Sequence, residues 1–188
     1  MTAEDWLDLK CHASMHSQAV HSIQALARRS AGDELWVSFR LDGDFSKILI
    51  PVADKPRINV DLWRHTCFEA FIALEGQPAY HEFNFAPSGE WCIYAFRGYR
   101  DGGPLADETI RPYMAISSNE NQLELDAVVR LDRLSAAHPQ VPIRIGLSAV
   151  IEASDGFSYW ALRHPAGKPD FHKPDGFALL INPPSPAR

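Results

Sequence analysis

The sequence contains few cysteines and no excess of positive charge, and both shortages exclude classes of protein. Its three cysteines are odd in number and form no CxxC pair, so we expect reduced, buried thiols at Cys67 and Cys92 rather than disulfides. The net charge of −6 disfavours general binding to nucleic acid or to an anionic membrane. We therefore predict partners that are neither nucleic acid nor membrane.

Long apolar runs are missing as well. No segment approaches the roughly 20 apolar residues that a membrane-spanning helix needs. The acidic start, MTAEDWLDLK, lacks the basic and apolar regions of a signal peptide. We therefore expect a cytoplasmic protein.

Helical signals and catalytic motifs are also scarce. The sequence contains no GxSxG elbow, no P-loop, no GxGxxG after a strand and no HExxH. Short β-rich runs recur instead, separated by turn residues, and roughly ten such runs predict an all-β fold, a two-sheet antiparallel β-sandwich of jelly-roll or immunoglobulin-like type. A chain of 188 residues fits one domain, 1–188, with 182–188 as a disordered tail.

The strand pattern is clearest in Glu34–Leu41, where apolar and polar side chains alternate. Val20–Arg28 is predicted as a strand, although propensity also permits a short helix over Ser22–Arg29. Lys47–Val52 is predicted as a further strand. Asp101–Pro104 contains two glycines and a proline and is predicted to interrupt the chain.

Polar residues follow one face of three consecutive predicted strands between residues 62 and 100. Side chains alternate across a strand, so Glu69 and Phe71 share a face of the first strand, and Glu82 and Asn84 share a face of the second. A hairpin closed at Glu75–Pro78 would place Asn84 opposite Glu69 and Glu82 opposite Phe71. Two carboxylates and one amide would then share one sheet surface.

Aromatic and basic residues flank this polar cluster in the sequence. Trp63 and Trp91 are the tryptophans that we expect to be exposed, and Trp91 could stack on a ligand ring. Arg97 and Arg100 could orient an acidic ligand group. Because a buried carboxylate is costly without partners, the cluster is either a structural ion-pair network or the lining of a groove that binds a polar molecule.

A second group of polar residues lies in the segment WALRHPAGKPDFH. His164, Asp170 and His172 are metal-ligand types, and an extended backbone would place the last two on one side. No closed metal spacing results, so Asp170 and His172 are weak metal candidates. Haem would need a buried axial ligand, for which His164 and His172 are the candidates.

Several blocks of the sequence resemble the DOMON-like bacterial proteins, a group related to the family-nine carbohydrate-binding modules. The blocks are LWRHTCFEAFI, YHEFNFAPSGEWCIYAFRGYR, LSAVIE and SYWALRHPAGKPDFH. The resemblance implies a sandwich of two antiparallel sheets whose concave side binds a sugar or, in other branches, haem. Trp63 to Glu69 resembles a Trp-to-Glu pattern beside the ligand groove of the modules, whereas His65-Thr66 replaces their usual acidic residue. No Met and His pair aligns with the haem-binding branch.

The sequence thus predicts a non-catalytic domain that binds a saccharide or similar small polar ligand in a concave groove of one sheet. Three alternatives stay open: a haem-binding or redox module, an interaction or scaffold domain without a small ligand, and a glycoside hydrolase that uses Glu69 and Glu82. No cofactor is predicted beyond the haem and divalent-metal alternatives. The predicted ligand-binding residues are Glu69, Glu82, Asn84, Trp63, Trp91, Arg97, Arg100 and His164.

Overall fold

The computed structural model describes residues 6–30, 32–52 and 55–184. These residues form thirteen strands and four short 3₁₀ turns, and no helix among them is long and apolar enough to cross a membrane. The 3₁₀ turns are Leu62–Arg64, Glu108–Ile110, Leu131–Arg133 and Pro174–Gly176. The strands are β1 (Leu7–Asp8), β2 (Lys10–Cys11), β3 (Val20–Arg29), β4 (Glu34–Gly43), β5 (Cys67–Leu74), β6 (Tyr80–Phe85), β7 (Trp91–Phe96), β8 (Gly102–Leu105), β9 (Tyr113–Ser118), β10 (Gln122–Arg130), β11 (Ile143–Ala153), β12 (Gly156–Ala161) and β13 (Leu179–Ile181).

The strands form two antiparallel sheets, which confirms the predicted β-sandwich. The smaller sheet has five strands in the order β1-β3-β4-β10-β9. The larger sheet has eight strands: seven follow the order β2-β12-β11-β5-β6-β7-β8, and β13 pairs with β11 beside them. In the larger sheet, β11 joins β5 although the two strands are far apart in sequence, so this pairing brings distant side chains onto one surface.

The main core lies between the two sheets and takes alternate residues from the longer strands. From the smaller sheet come residues such as Leu35, Val37 and Phe39, and from the larger sheet residues such as Phe68 and Phe83, all fully buried. This alternation follows from the two-residue period of a strand. It leaves a second, outer face on β5, β6, β7, β11 and β12.

Most predicted strands are confirmed, among them Val20–Arg28, observed as Val20–Arg29 and paired with β4 apart from a register shift between Val20 and Ser22. Two local predictions are wrong. Lys47–Val52 forms only an isolated bridge at Ile48, paired with Ala153. Gly102–Leu105 is the edge strand β8 and not an interruption, since an edge position tolerates Pro104.

The hairpin between β5 and β6 has the predicted register. Glu69 lies opposite Asn84, and Phe71 lies opposite Glu82. Gly76 takes a positive φ of 76° in the connecting turn, a conformation that favours glycine. The two carboxylates therefore occupy the outer face of the larger sheet, on adjacent strands and offset by two residues.

Two segments cover the ends of this outer face. The turn Leu62–Arg64 packs with Cys67, Ala86 and Cys92 at one end. Phe177 packs with Phe71, Tyr80 and Phe96 at the other. The polar residues lie between these two apolar clusters. Of the predicted tail, residues 182–184 have no regular structure and 185–188 lie outside the described residues.

Candidate ligand-binding site

Four polar side chains define what we call the carboxylate groove: Glu69, Glu82, Asn84 and Ser148. Glu69 on β5 has Asn84 of β6 on one side and Ser148 of β11 on the other, directly opposite in the two ladders. All four are buried, with Glu69 only 3% and Glu82 only 5% exposed. The sheet register therefore collects polar groups from three strands in a place where the fold alone would favour apolar ones.

Each carboxylate of the groove accepts one hydrogen bond inside it. The Ser148 hydroxyl donates to Oε2 of Glu69 at 3.0 Å, and the Asn84 amide donates to Oε1 of Glu82 at 2.6 Å. The Cys67 thiol lies 3.5 Å from the Asn84 carbonyl oxygen, to which it donates. Since an ionised carboxylate can accept about four hydrogen bonds, much of the accepting capacity of both glutamates is unused.

Burial changes the acidity of both groove carboxylates. It raises the pKa of Glu82 to about 7, against which the Asn84 hydrogen bond and Arg100 act. Burial also raises the pKa of Glu69 well above its ordinary value, and the neighbouring charge of Glu82 raises it further. Two like charges in a desolvated site disfavour full ionisation, so the pair retains a proton near neutral pH.

One rim of the groove is a hydrogen-bonded network from the loops after β7 and β12. Tyr99 and Arg100 bind the two carboxylate oxygens of Asp170 at 2.6 and 3.0 Å. The Tyr80 hydroxyl is 2.8 Å from Nδ1 of His172 and accepts the backbone N–H of Arg100. Burial lowers the pKa of His172 to about 4, so this ring is neutral at pH 7.

Aromatic rings stand beside the carboxylates on the same face. Tyr94 lies directly opposite Glu82 on β7, and its hydroxyl accepts the backbone N–H of Asp61. Tyr159 on β12 is close enough for Glu69 to raise its pKa, after burial as the larger cause. Both rings are half-buried. A ring-shaped polar ligand would therefore meet tyrosine surface on both sides of the carboxylates.

The prediction that Trp91 is exposed and stacks on a ligand is wrong. Trp91 is 1% exposed and belongs to the core between the sheets. It lies opposite Phe85, which places both side chains on the inner face, away from Glu82. Because Trp91 begins β7 directly after a turn, its burial depends on the second sheet, which the local sequence does not reveal.

Three further predicted site residues lie apart from the two carboxylates. Arg97 pairs with Asp101 at 2.9 Å, its side chain is 85% exposed, and it contacts neither glutamate. His164 binds the backbone carbonyl of Lys10 at 2.7 Å, near the β2 edge of the sheet. Trp63 is 46% exposed on the turn Leu62–Arg64, which packs against β5 and β6. Arg100 is thus the predicted arginine that reaches the groove.

The two metal candidates lie close together but are engaged by other groups. Both carboxylate oxygens of Asp170 accept hydrogen bonds, and Nδ1 of His172 lies within hydrogen-bond distance of Tyr80. Within the described ranges, no three His, Cys, Asp or Glu side chains converge as a metal site would require. His172 is also in edge-to-face contact with Phe71 and Phe96, which fills the space beside its ring.

Sequence reasoning missed Ser148 as a site residue. Its pattern on β11 is visible, because Gly146, Ser148 and Val150 alternate with Leu147 and Ala149. What no local pattern shows is that β11 pairs with β5 in the register that places Ser148 beside Glu69.

The fold is shared with solved carbohydrate-binding structures. A protein from Bacteroides uniformis, named as a candidate carbohydrate-binding protein, aligns with a TM-score of 0.71 and 13% identity over 95% of this chain and 85% of its own. A family-nine carbohydrate-binding module from Caldicellulosiruptor kristjanssonii, in complex with glucose, aligns with a TM-score of 0.58 and 11% identity over 97% of this chain and 85% of its own. The same kind of module in complex with cellotriose gives a TM-score of 0.58 over 97% and 84%.

These likenesses define the class of fold, a β-sandwich like that of the family-nine modules. At 11 to 13% identity, they are similarities of architecture. No protein-family model matches the chain, and no curated protein matches it in sequence.

Proposed function

We propose that this chain is a non-catalytic domain that binds a saccharide on the outer face of its larger sheet. The observation that carries the proposal is the carboxylate groove: buried polar side chains with unused hydrogen-bonding capacity, between two tyrosines. The family-nine modules that share the fold are in complex with glucose and cellotriose, which supports the same ligand class here. The finer resemblance to DOMON-like proteins, a bacterial source and a cytoplasmic location are part of the proposal.

The groove offers complementary groups for sugar hydroxyls. The free oxygens of Glu69 and Glu82 would accept hydroxyl hydrogen bonds. Tyr94 and Tyr159 would cover the apolar faces of the pyranose ring, as aromatic side chains do when one surface of a ligand is apolar and its edge is wet. Such sites combine apolar walls with a few fixed polar groups, which set orientation and specificity.

The test is a thermal-shift and calorimetric screen of the full chain against glucose, cellobiose, cellotriose, uronic acids, haem and divalent metals. A saccharide at about 100 times its Kd should stabilise the folded state by roughly 2.7 kcal/mol and raise Tm by several degrees. The variant Glu69→Leu, which keeps bulk and removes both acceptor oxygens, should abolish the shift. Its matched control is Glu124→Leu on the smaller sheet, which should bind as the wild type does.

Four results would contradict the proposal in different ways. A shift with haem alone, together with a Soret band, would favour the redox alternative. Absence of any saccharide shift would favour the scaffold alternative. Equal binding by Glu69→Leu and wild type would place the site elsewhere on the molecule. Turnover of nitrophenyl glycosides, lost in both Glu69→Gln and Glu82→Gln, would favour the hydrolase alternative.

A further inference from the structure

The carboxylate groove carries more negative than positive charge. This restricts the class of saccharide that the groove would bind under the proposed function. Glu69 and Glu82 lie on adjacent strands, offset by two residues, and both sense the charge of Arg100. That guanidinium already binds Asp170 at 3.0 Å and is about half exposed. One shared cation therefore faces three carboxylates.

Neither groove carboxylate receives hydrogen bonds on both of its oxygens from the described residues. Ser148 donates to one oxygen of Glu69, and Asn84 donates to one oxygen of Glu82. The second oxygen of each accepts no hydrogen bond from any residue in the described ranges; His172 Nε2 is 3.7 Å from Oε2 of Glu82, which is too far for one. Two carboxylates on adjacent strands, both at least 95% buried, thus each keep one open oxygen, without a donor from the described residues.

Apart from Arg100 and Asp170, the ionisable groups that face the two carboxylates are neutral at pH 7. Burial raises the pKa values of the thiols and phenols that face the pair and lowers that of the imidazole, so each group is held in its uncharged form. These groups are Cys67, Cys92, Tyr80, Tyr94, Tyr159 and His172. Apart from Arg100, no cation acts on both carboxylates from the described part of the chain.

A small cation with several N–H donors would complete this arrangement. A primary ammonium carries three donors and one positive charge, so it could bind both open oxygens and replace the proton that the pair otherwise holds. Charge-assisted hydrogen bonds of this kind are about twice as strong as neutral ones. A ligand carboxylate would instead be a fourth carboxylate beside a single cation, so the structure argues against the acidic sugar expected from the two arginines.

We propose that the carboxylate groove selects saccharides that carry a free primary amine, with the ammonium group bound between Glu69 and Glu82. This inference depends on the proposed saccharide site and names its ligand class. N-acetylation would abolish the preference, because an acetamide has no charge and one N–H. Binding of a saccharide whose amine is already protonated would release a proton from the carboxylate pair, since both carboxylates ionise beside the ammonium.

The test compares three β-1,4-linked disaccharides that share a glucose framework: cellobiose, the fully deacetylated chitosan disaccharide and diacetylchitobiose. Titration calorimetry at pH 6, where the sugar amine is protonated, in phosphate and in MES gives both Kd and the number of protons released. The amine disaccharide should bind at least about tenfold more tightly than the other two, equivalent to roughly 1.4 kcal/mol. The proton count should be positive for the amine disaccharide and near zero for cellobiose.

Charge-removing variants separate this inference from the proposed function. Glu69→Gln and Glu82→Gln keep the shape but remove the charge and replace one acceptor oxygen by an NH2 donor. Each should reduce the amine preference, taken as the ratio of the cellobiose and amine Kd values in the same variant, to about threefold or less. Glu124→Gln should keep the full preference. Equal affinity for cellobiose and the amine would overturn the inference and leave the saccharide site intact. Failure of all three ligands to bind would overturn both.

Discussion

The two faces of β5 and β6 have almost the same burial and very different chemistry. The inner face presents apolar side chains, of which Phe68, Ala70 and Phe83 are fully buried. The outer face of the same strands presents Glu69 and Glu82, each at most 5% exposed. Because the backbone is shared, the difference arises only from which alternate positions are polar.

The smaller sheet contains a glutamate whose charge is paired with an arginine on the neighbouring strand. Glu124 on β10 lies directly opposite Arg40 on β4, and the two side chains pair at 2.8 Å on a partly exposed surface. Glu69 and Glu82 have no such cross-strand cation and are far more buried. Burying a carboxylate without a cation costs free energy, so these two glutamates are expected to lower the stability of the fold.

The largest expected loss of stability comes from a substitution on the inner face. Phe83→Ala removes a fully buried ring from the main core, where it stacks on Phe85 with ring centroids 5.9 Å apart. We expect a loss of about 3–5 kcal/mol in the free energy of unfolding, because the ring leaves a cavity between two rigid sheets. Urea unfolding at pH 7 measures it. A loss below 1 kcal/mol would show that the sheets collapse around the cavity.

A substitution at Glu82, next to Phe83 but on the outer face, should increase stability above neutral pH instead of lowering it. Glu82 has a folded-state pKa of about 7 against an ordinary value of 4.5, so its protonated form favours the fold. That contribution is present below pH 4.5 and is lost as the pH rises through 7. Glu82→Gln should therefore be as stable as wild type at pH 4 and more stable at pH 8, by a few kcal/mol at most. Urea unfolding at the two pH values measures this.

A loss of stability in Glu82→Gln at pH 8 would show that the carboxylate is a structural acceptor, as in the scaffold alternative. The matched control is Glu124→Gln, whose glutamate is paired on the smaller sheet. That variant should lose about 1 kcal/mol or less, because partly exposed ion pairs contribute little.

How much of this arrangement the sequence predicts depends on the range of the interactions. The pairing of Glu69 with Asn84 was predictable, since one short turn fixes the register of a hairpin. The position of Ser148 was not predictable. Its approach to Glu69 requires β11 to pair with β5, and the two residues are 79 positions apart in the sequence. The burial of Trp91 was likewise hidden, since the second sheet covers it.

The dependence on long-range contacts also explains why the prediction for Arg97 differs from its observed position. Arg97 and Arg100 are equivalent by composition, but the turn between them folds back so that Arg97 pairs with Asp101. Arg100 adopts a positive φ of 54° at the end of this turn and binds Asp170, which is 70 residues away. A local pattern predicts a basic cluster near the site, whereas only the tertiary fold decides which member reaches it.

The smallest expected effect on stability concerns a buried histidine pair at the end of the inner face. His81 lies next to Glu82 on β6 but points inward, where it meets His138 edge-to-face with ring centroids 5.4 Å apart. Burial lowers the pKa of His138 to about 4, with His81 and Arg29 as further causes. Its neutral form therefore favours the fold, and stability is lost as the pH falls from the ordinary value of 6.5 towards 4.

His138→Gln keeps a polar group beside Ser135, whose hydroxyl is 2.8 Å from Nδ1 of His138, and removes the titration. The variant should gain on the order of 1 kcal/mol relative to wild type between pH 7 and pH 4. Urea unfolding at several pH values in this range gives the difference. A stability difference between His138→Gln and wild type that stays constant with pH would mean that water already reaches the inner pair. The inner face would then oppose charge less strongly than the outer face, although both are built on the same strand.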